Sequence, residues 1–356
     1  MRPLTLPPVA ALWAAMAVFT GCSTEENATE TPAVPDETLA TATEPAAGRE
    51  LPTYRIPNIP PAGEAYYAPD SLHLIAQTKD PDAIKFKDGR DGNLTYTFTD
   101  QGENIRRIND RGQDACSYFF PDQQRIVWTS TRDNMDMDVG DWSEVTEYPR
   151  GAELYVSDLD GGNVVRLTHN EYYEAEVSVS PDGQWLVFGR QIDGKDDLWR
   201  MRPDGSDEQQ ITFTDDWQEG APFYLSDSET IMFRAPKRSE HGQPGQTPMT
   251  VFTIKHDGTE LTQHTFTDDM NWAPYPAPDD RHYVFVRIVD GYNWEIFLGD
   301  MQGGDPVRLT YYDGWDGLPS LSPDGTKMAF TRSAGRGEPF YTYIMDVSSL
   351  NIGPRG

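Results

Sequence analysis

The sequence predicts an all-β chain, a six-bladed β-propeller of four-stranded antiparallel blades. Two interleaved repeats and a fitting length carry that expectation. The first repeat is a Pro/Asp turn followed by a short apolar strand. It is clearest in Ser180-Pro181-Asp182-Gly183-Gln184-Trp185-Leu186-Val187-Phe188 and Ser322-Pro323-Asp324-Gly325-Thr326-Lys327-Met328-Ala329-Phe330. Weaker copies centre on Asp122, Asp227 and Asp279, and the weakest on Pro69-Asp70. The aspartates at 70, 122, 182, 227, 279 and 324 lie 52, 60, 45, 52 and 45 residues apart. A period of about 40–50 residues built from short strands marks a propeller, one blade per repeat.

The second repeat runs in step with the first. It reads Tyr155-Val156-Ser157-Asp158-Leu159-Asp160-Gly161-Gly162 and then Arg166-Leu167-Thr168, and recurs around Asp204-Gly205, Asp257-Gly258, Gly303-Gly304 and, degraded, Gln101-Gly102. Asp-Gly between β-rich runs is a tight hairpin signal, because glycine takes φ > 0 and aspartate bonds its own turn backbone. Two hairpins per repeat give four strands.

The ends are organised differently. Residues 1–21 combine Arg2, an apolar run from Val9 to Phe19 and small residues before Cys22, which is the make-up of a secretory signal. Thr20-Gly21-Cys22 is similar to the bacterial lipobox, and that resemblance implies lipidation of Cys22; with Ser23 following, it implies sorting to the outer membrane. Residues 22–50, rich in Thr, Glu, Ala and Pro, form an acidic tether that cannot bury a core. Residues 51–350 are one propeller domain and 351–356 a tail. The last repeat ends one strand short. The segment Leu51–Ile56 is the natural donor to close the ring, with Leu350-Asn351-Ile352 as the alternative.

The formal net charge is −29. Such a surface repels nucleic acid and anionic lipid, so the membrane is reached only through the N-terminal lipid. An acidic surface that keeps a protein soluble in a salty habitat explains the same charge. Only Cys22 and Cys116 exist, so a lipidated Cys22 leaves Cys116 unpaired, within the apolar run Ala115-Cys116-Ser117-Tyr118-Phe119-Phe120. No basic neighbour activates it, and it reads as a buried, inert thiol.

The paired patterns Ser-Pro-Asp-Gly followed by an apolar strand ending in Phe, and Asp-Gly followed by Arg/Gln-Leu-Thr, resemble the repeat of TolB-type propellers over residues 65–350. The resemblance implies the fold. For function it implies only a range: periplasmic assembly proteins, halves of serine peptidases, and lipoproteins. With roughly 45 residues between Cys22 and the first repeat, the α/β domain that precedes the propeller in TolB is expected to be missing, as is a peptidase domain after it.

Function in β folds concentrates on variable loops carried by a rigid scaffold. The loops leading into each innermost strand carry a repeated acidic and aromatic pattern: Asp215, Asp216 and Trp217; Asp268, Asp269 and Trp272; Asp313, Trp315 and Asp316; and, loosely, Tyr172. These residues are expected to ring the channel mouth as a binding funnel, carboxylates for cations or sugar hydroxyls and indoles for apolar or planar groups. The competing reading packs each Trp between blades and caps each turn with its own Asp. Two insertions, 133–150 and 236–248, overhang the same face. Asp133, Asp136, Asp138 and Asp141 offer oxygens for Ca²⁺, but lack the glycine and terminal glutamate of an EF-hand loop. There is no Gly-x-Ser-x-Gly elbow, no phosphate-binding glycine loop and no convergent histidine set. The leading expectation is a cell-envelope lipoprotein that binds a protein or glycan through this face, with no required cofactor. The alternative is a Ca²⁺-dependent hydrolase or lyase at the mouth.

Overall fold

The computed structural model describes residues 49–87, 89–142, 146–240, 246–335 and 338–355. The expected signal segment with Cys22, most of the expected tether, and His241 in the second insertion lie outside them. Strand β1 (Thr53–Arg55) is followed by four separate four-stranded sheets. These are β2 (Ala62–Tyr67), β3 (His73–Lys79), β4 (Asn93–Thr99) and β5 (Arg106–Arg107); β6 (Asp114–Phe119), β7 (Arg125–Ser130), β8 (Glu153–Asp158) and β9 (Val165–Arg166); β10 (Tyr173–Val179), β11 (Leu186–Ile192), β12 (Lys195–Met201) and β13 (Gln209–Gln210); and β14 (Gly220–Tyr224), β15 (Thr230–Pro236), β16 (Met249–Lys255) and β17 (Thr262–Gln263). The remaining strands are β18 (Trp272–Pro276), β19 (His282–Val289), β20 (Asn293–Asp300), β21 (Val307–Arg308), β22 (Trp315–Leu321), β23 (Lys327–Ser333) and β24 (Tyr341–Asp346). Together with β1 they form one eight-stranded sheet.

This corrects the expectation of six separate four-stranded blades: four blades stand apart, and the other strands are continuous. The join is one parallel pairing, Trp294 with Trp315. It forms because the loop entering β22 turns inward, with the Trp294 amide donating to the Gly314 carbonyl at 3.3 Å and the Gly314 amide to Asn293 Oδ1 at 3.0 Å. Elsewhere the corresponding contact is an isolated bridge, as at Ala152 with Tyr173 and Met249 with Met270.

Both repeats have structural jobs. The turn aspartates accept backbone N–H groups two or three residues on, as Asp279 does from Arg281 (3.0 Å) and His282 (2.9 Å), and Asp182 from Gln184 (3.0 Å). The aromatic ending the motif is buried on the second strand of five of the six repeats, at Trp128, Phe188, Phe233, Phe285 and Phe330; the first repeat has Ala76 there. In the second repeat the threonine hydroxyl accepts a third-strand amide: Thr168 from Leu154, Thr212 from Leu198, Thr265 from Val251 and Thr310 from Ile296, at 2.8–3.0 Å. The motif arginines Arg166 and Arg308 neutralise the fully buried Glu153 and Glu295 at 2.7 and 2.6 Å.

The chain closes with its N-terminal strand. β1 runs antiparallel to β24, Thr53 opposite Met345 and Arg55 opposite Tyr343. Leu350 and Ile352 instead pack into the core after a short 3₁₀ turn, Ser348–Leu350. The first and last sheets touch through Ser320 Oγ donating to the Ala65 carbonyl (2.6 Å) and the Glu64 amide donating to Thr331 Oγ1 (3.1 Å).

Candidate ligand-binding site at the channel mouth

The innermost strands β2, β6, β10, β14, β18 and β22 each break register once against their neighbour. At each break one residue takes a positive φ: Glu64, Cys116, Glu176, Ala221, Ala273 and Leu318. Such a bulge re-aims a side chain, and here all six line one axial cavity of about 50 Å³, together with Trp272, Pro319, Val177, Tyr66 and Phe223. Two residues further on, Tyr66, Tyr118, Phe223 and Tyr275 fill the axis. Tyr66 and Phe223 have centroids 5.4 Å apart, and the Tyr118 and Tyr275 hydroxyls are hydrogen-bonded at 2.9 Å. The aromatic plug makes the cavity a blind cup.

One wall is acidic. Glu176 accepts from the Ala221 amide and from Arg234 Nη2, both at 2.8 Å. Glu64 accepts from the Cys116 amide at 3.3 Å and the Tyr66 hydroxyl at 3.2 Å. Burial pushes Glu64 up to about 6, with Glu176 adding repulsion and its hydrogen bonds opposing. Burial also raises the Cys116 thiol, in keeping with an inert cysteine. The facing wall is Ala221, Ala273, Leu318, Pro319 and the indole of Trp272.

Around the cup the first insertion folds in. Tyr148 stacks on Tyr173 at 4.2 Å, with Trp142 edge-on at 5.7 Å. Beside them lie carboxyls with little compensation. Burial pushes Asp196 and Glu219 up to about 7, and Asp196 Oδ1 and Glu219 Oε2 have no hydrogen-bond partner.

The sequence-predicted residues split into two groups. Trp315 and Asp316 are buried: Trp315 packs against Trp272, Trp294 and Phe340, while Asp316 is clamped by Arg332 through two 2.7 Å bonds, burial still pushing it up to about 6. Trp217 is half-buried with its ring edge on Phe252, and Asp216 accepts from the Ser239 amide and hydroxyl at 2.9 and 2.8 Å. Trp272 reaches the cup. Asp215, Asp268, Asp269, Asp313 and Tyr172 stay exposed on the loops, Asp215 held by Lys195 at 2.6 Å and Asp269 by Thr267 at 2.8 Å. Asp133 accepts from the Tyr155 hydroxyl at 3.2 Å. Neither it nor Asp136, Asp138 and Asp141 joins a metal-holding cluster: among the described residues no three His, Cys, Asp or Glu side chains group in that way.

Sequence reasoning missed Glu64, Glu176 and Arg234. A signal existed for the first two. Every bulge residue lies six positions before its turn aspartate, Glu64 before Asp70 and Glu176 before Asp182. It also missed Phe213 and Phe266, whose side chains stand out on the same loops at 75% and 79% exposure.

With this geometry in place the comparisons are informative. No protein-family model matches the sequence. An uncharacterised protein of Agrobacterium fabrum is 26% identical over 51% of this chain and 47% of its own length. The Tol-Pal system protein TolB of Francisella tularensis subsp. tularensis is 31% identical over 23% of this chain and 19% of its own. The crystal structure of TolB from Acinetobacter baumannii superposes with a TM-score of 0.55 at 16% identity, covering 79% of this chain and 65% of that one. The chain thus spans less than two thirds of each of these proteins. Its fold is a TolB-like β-propeller.

Proposed function

We propose that this protein is a cell-envelope binding platform that holds a protein or a glycan on its mouth face. The observation that supports this best is the division of labour among the repeated residues. The motif aspartates, threonines and arginines are consumed by the scaffold. Asp268, Asp313, Tyr172, Phe213 and Phe266 instead stand out in solvent on loops that share the mouth. Exposed aromatics among acids, over a concave cup and on a rigid frame, suit recognition. The envelope setting rests on the TolB likeness and on Thr20-Gly21-Cys22, which would carry the lipid anchor and place the propeller at the outer membrane.

The test is capture from detergent-solubilised envelopes with the tagged mature chain. A Phe213→Ser, Phe266→Ser double variant should lose a partner that the native chain retains. Equal capture by both would remove the mouth face from the function. The anchor is tested separately: Cys22→Ser should shift the protein out of the membrane fraction, and an unacylated native chain by mass spectrometry would defeat the lipoprotein reading.

A further inference from the structure

We infer that the axial cup receives the ammonium end of a lysine side chain presented by a protein partner. The inference rests on the binding function proposed above and narrows it from protein or glycan to protein. Four observations combine. The cup is blind, because the Tyr66, Tyr118, Phe223 and Tyr275 plug closes the axis, so a ligand enters from the mouth and stops there. Its charge is unbalanced. Glu176 has Arg234 as a counter-ion, whereas the donors that reach Glu64 among the described residues are all neutral: the Cys116 amide and thiol and the Tyr66 hydroxyl. A buried carboxylate without a cation is costly and is relieved by one.

The opposite wall is apolar, formed by Ala221, Ala273, Leu318 and Pro319, with the Trp272 indole beside them. A lysine is the side chain that matches both walls: its methylene stem lies along apolar surface while its ammonium donates three hydrogen bonds. Charge then decides between ligand classes: a neutral sugar brings no cation to Glu64, whereas an ammonium does. Calcium takes about six to eight oxygen ligands; the cup offers two carboxylates, one already engaged by Arg234.

The experiment titrates the mature chain with n-butylammonium chloride at pH 7.5 by calorimetry, with tetramethylammonium and calcium chlorides at matched ionic strength as competitors. Saturable butylammonium binding is expected, weakened at least tenfold in Glu64→Gln, partly restored in Glu64→Asp, and not displaced by either competitor. Absence of saturable binding, unchanged binding in Glu64→Gln, or displacement by calcium would each overturn the inference. Glu64→Asp keeps the charge and remains informative if Glu64→Gln folds poorly. Capture from envelopes separates the two levels. A partner held equally by the native chain and Glu64→Gln overturns the lysine cup and leaves the platform standing. Butylammonium binding that depends on Glu64, with no partner captured, leaves the cup standing and removes the platform.

Discussion

The two faces of this propeller treat the same chemical group in opposite ways. On the hairpin-turn face, aspartates sit where backbone N–H groups converge. Asp279 is held down at about 2 despite its burial, first by the His282 side chain and then by two amides, and Asp227 is likewise held at about 2 by Thr230 and its neighbours. On the mouth face, Asp196 and Glu219 are pushed up to about 7, because burial outweighs the few donors that reach them. The turn face uses its acids as structural caps and gains stability from their charge. The buried carboxyls of the mouth face carry charge at a cost, the pattern expected where a surface awaits something else, while the loop acids Asp215 and Asp216 are held below the usual range by Lys195 and Ser239.

Four experiments sharpen or break that contrast. The largest effect tests whether both faces hang on one frame. Deleting residues 51–57 removes β1 and its pairing with β24, and should cost several kcal/mol in a single cooperative transition. Deleting residues 23–45 should leave the melt unchanged. Separate transitions for the two faces would mean that they are not one cooperative unit.

Next, Asp279→Ala should destabilise by about 1–2 kcal/mol at pH 7, a figure reduced from the full shift because solvent screens part of it. Its pKa is depressed on folding, so its contribution is present above about pH 4 and disappears as pH falls toward 2. The stability gap between the native chain and the variant in denaturant melts should therefore be largest at pH 7 and shrink markedly at pH 2.5.

Glu219→Gln should act with the opposite sign. The folded form of Glu219 holds its proton up to about pH 7, whereas an unfolded glutamate releases it near 4.5. Stability should thus rise as pH falls from 8 to 5, and the variant should be more stable by roughly 1 kcal/mol at pH 8 with little difference at pH 5. A native stability maximum at pH 7 or above, rather than near 5, would break the comparison. Last, Asp268→Asn with Asp313→Asn should change stability by no more than ~0.5 kcal/mol, since both are exposed. Melts with millimolar calcium and then EDTA on the same proteins test the calcium reading. A calcium shift lost in this double variant would show the loop acids holding the ion.

Much of the scaffold was legible because it rests on local chemistry. A turn aspartate, its glycine and the aromatic at the end of the next strand interact within ten residues, so their spacing prints the hairpin directly into the sequence. Closure by Leu51–Ile56 was legible by elimination, one strand being missing. The fusion of the last strands was not, since it depends on how one loop bends Trp315 beside Trp294. The mouth was only half legible. Loop acids and indoles looked alike in sequence, yet Asp316 found Arg332 from the adjacent strand while Asp313 found solvent. The cup was hidden for another reason: Glu64 and Glu176 are brought to one wall by bulges whose six residues differ in type and share only a constant offset from the turn aspartate.

The closing strand has a consequence in time. β1 emerges first during synthesis, and its partner β24 is about 290 residues behind it. Until the last strands are made, the innermost surfaces of the first and last sheets have no neighbour and β24 has no outer edge to meet. Ring closure is therefore the final, least local step of folding. It also leaves the N-terminal end of the described chain fastened by three paired residues. Tension applied ahead of Thr53 would load Thr53, Tyr54 and Arg55 before any other strand. The same short segment that completes the ring is thus its mechanical latch.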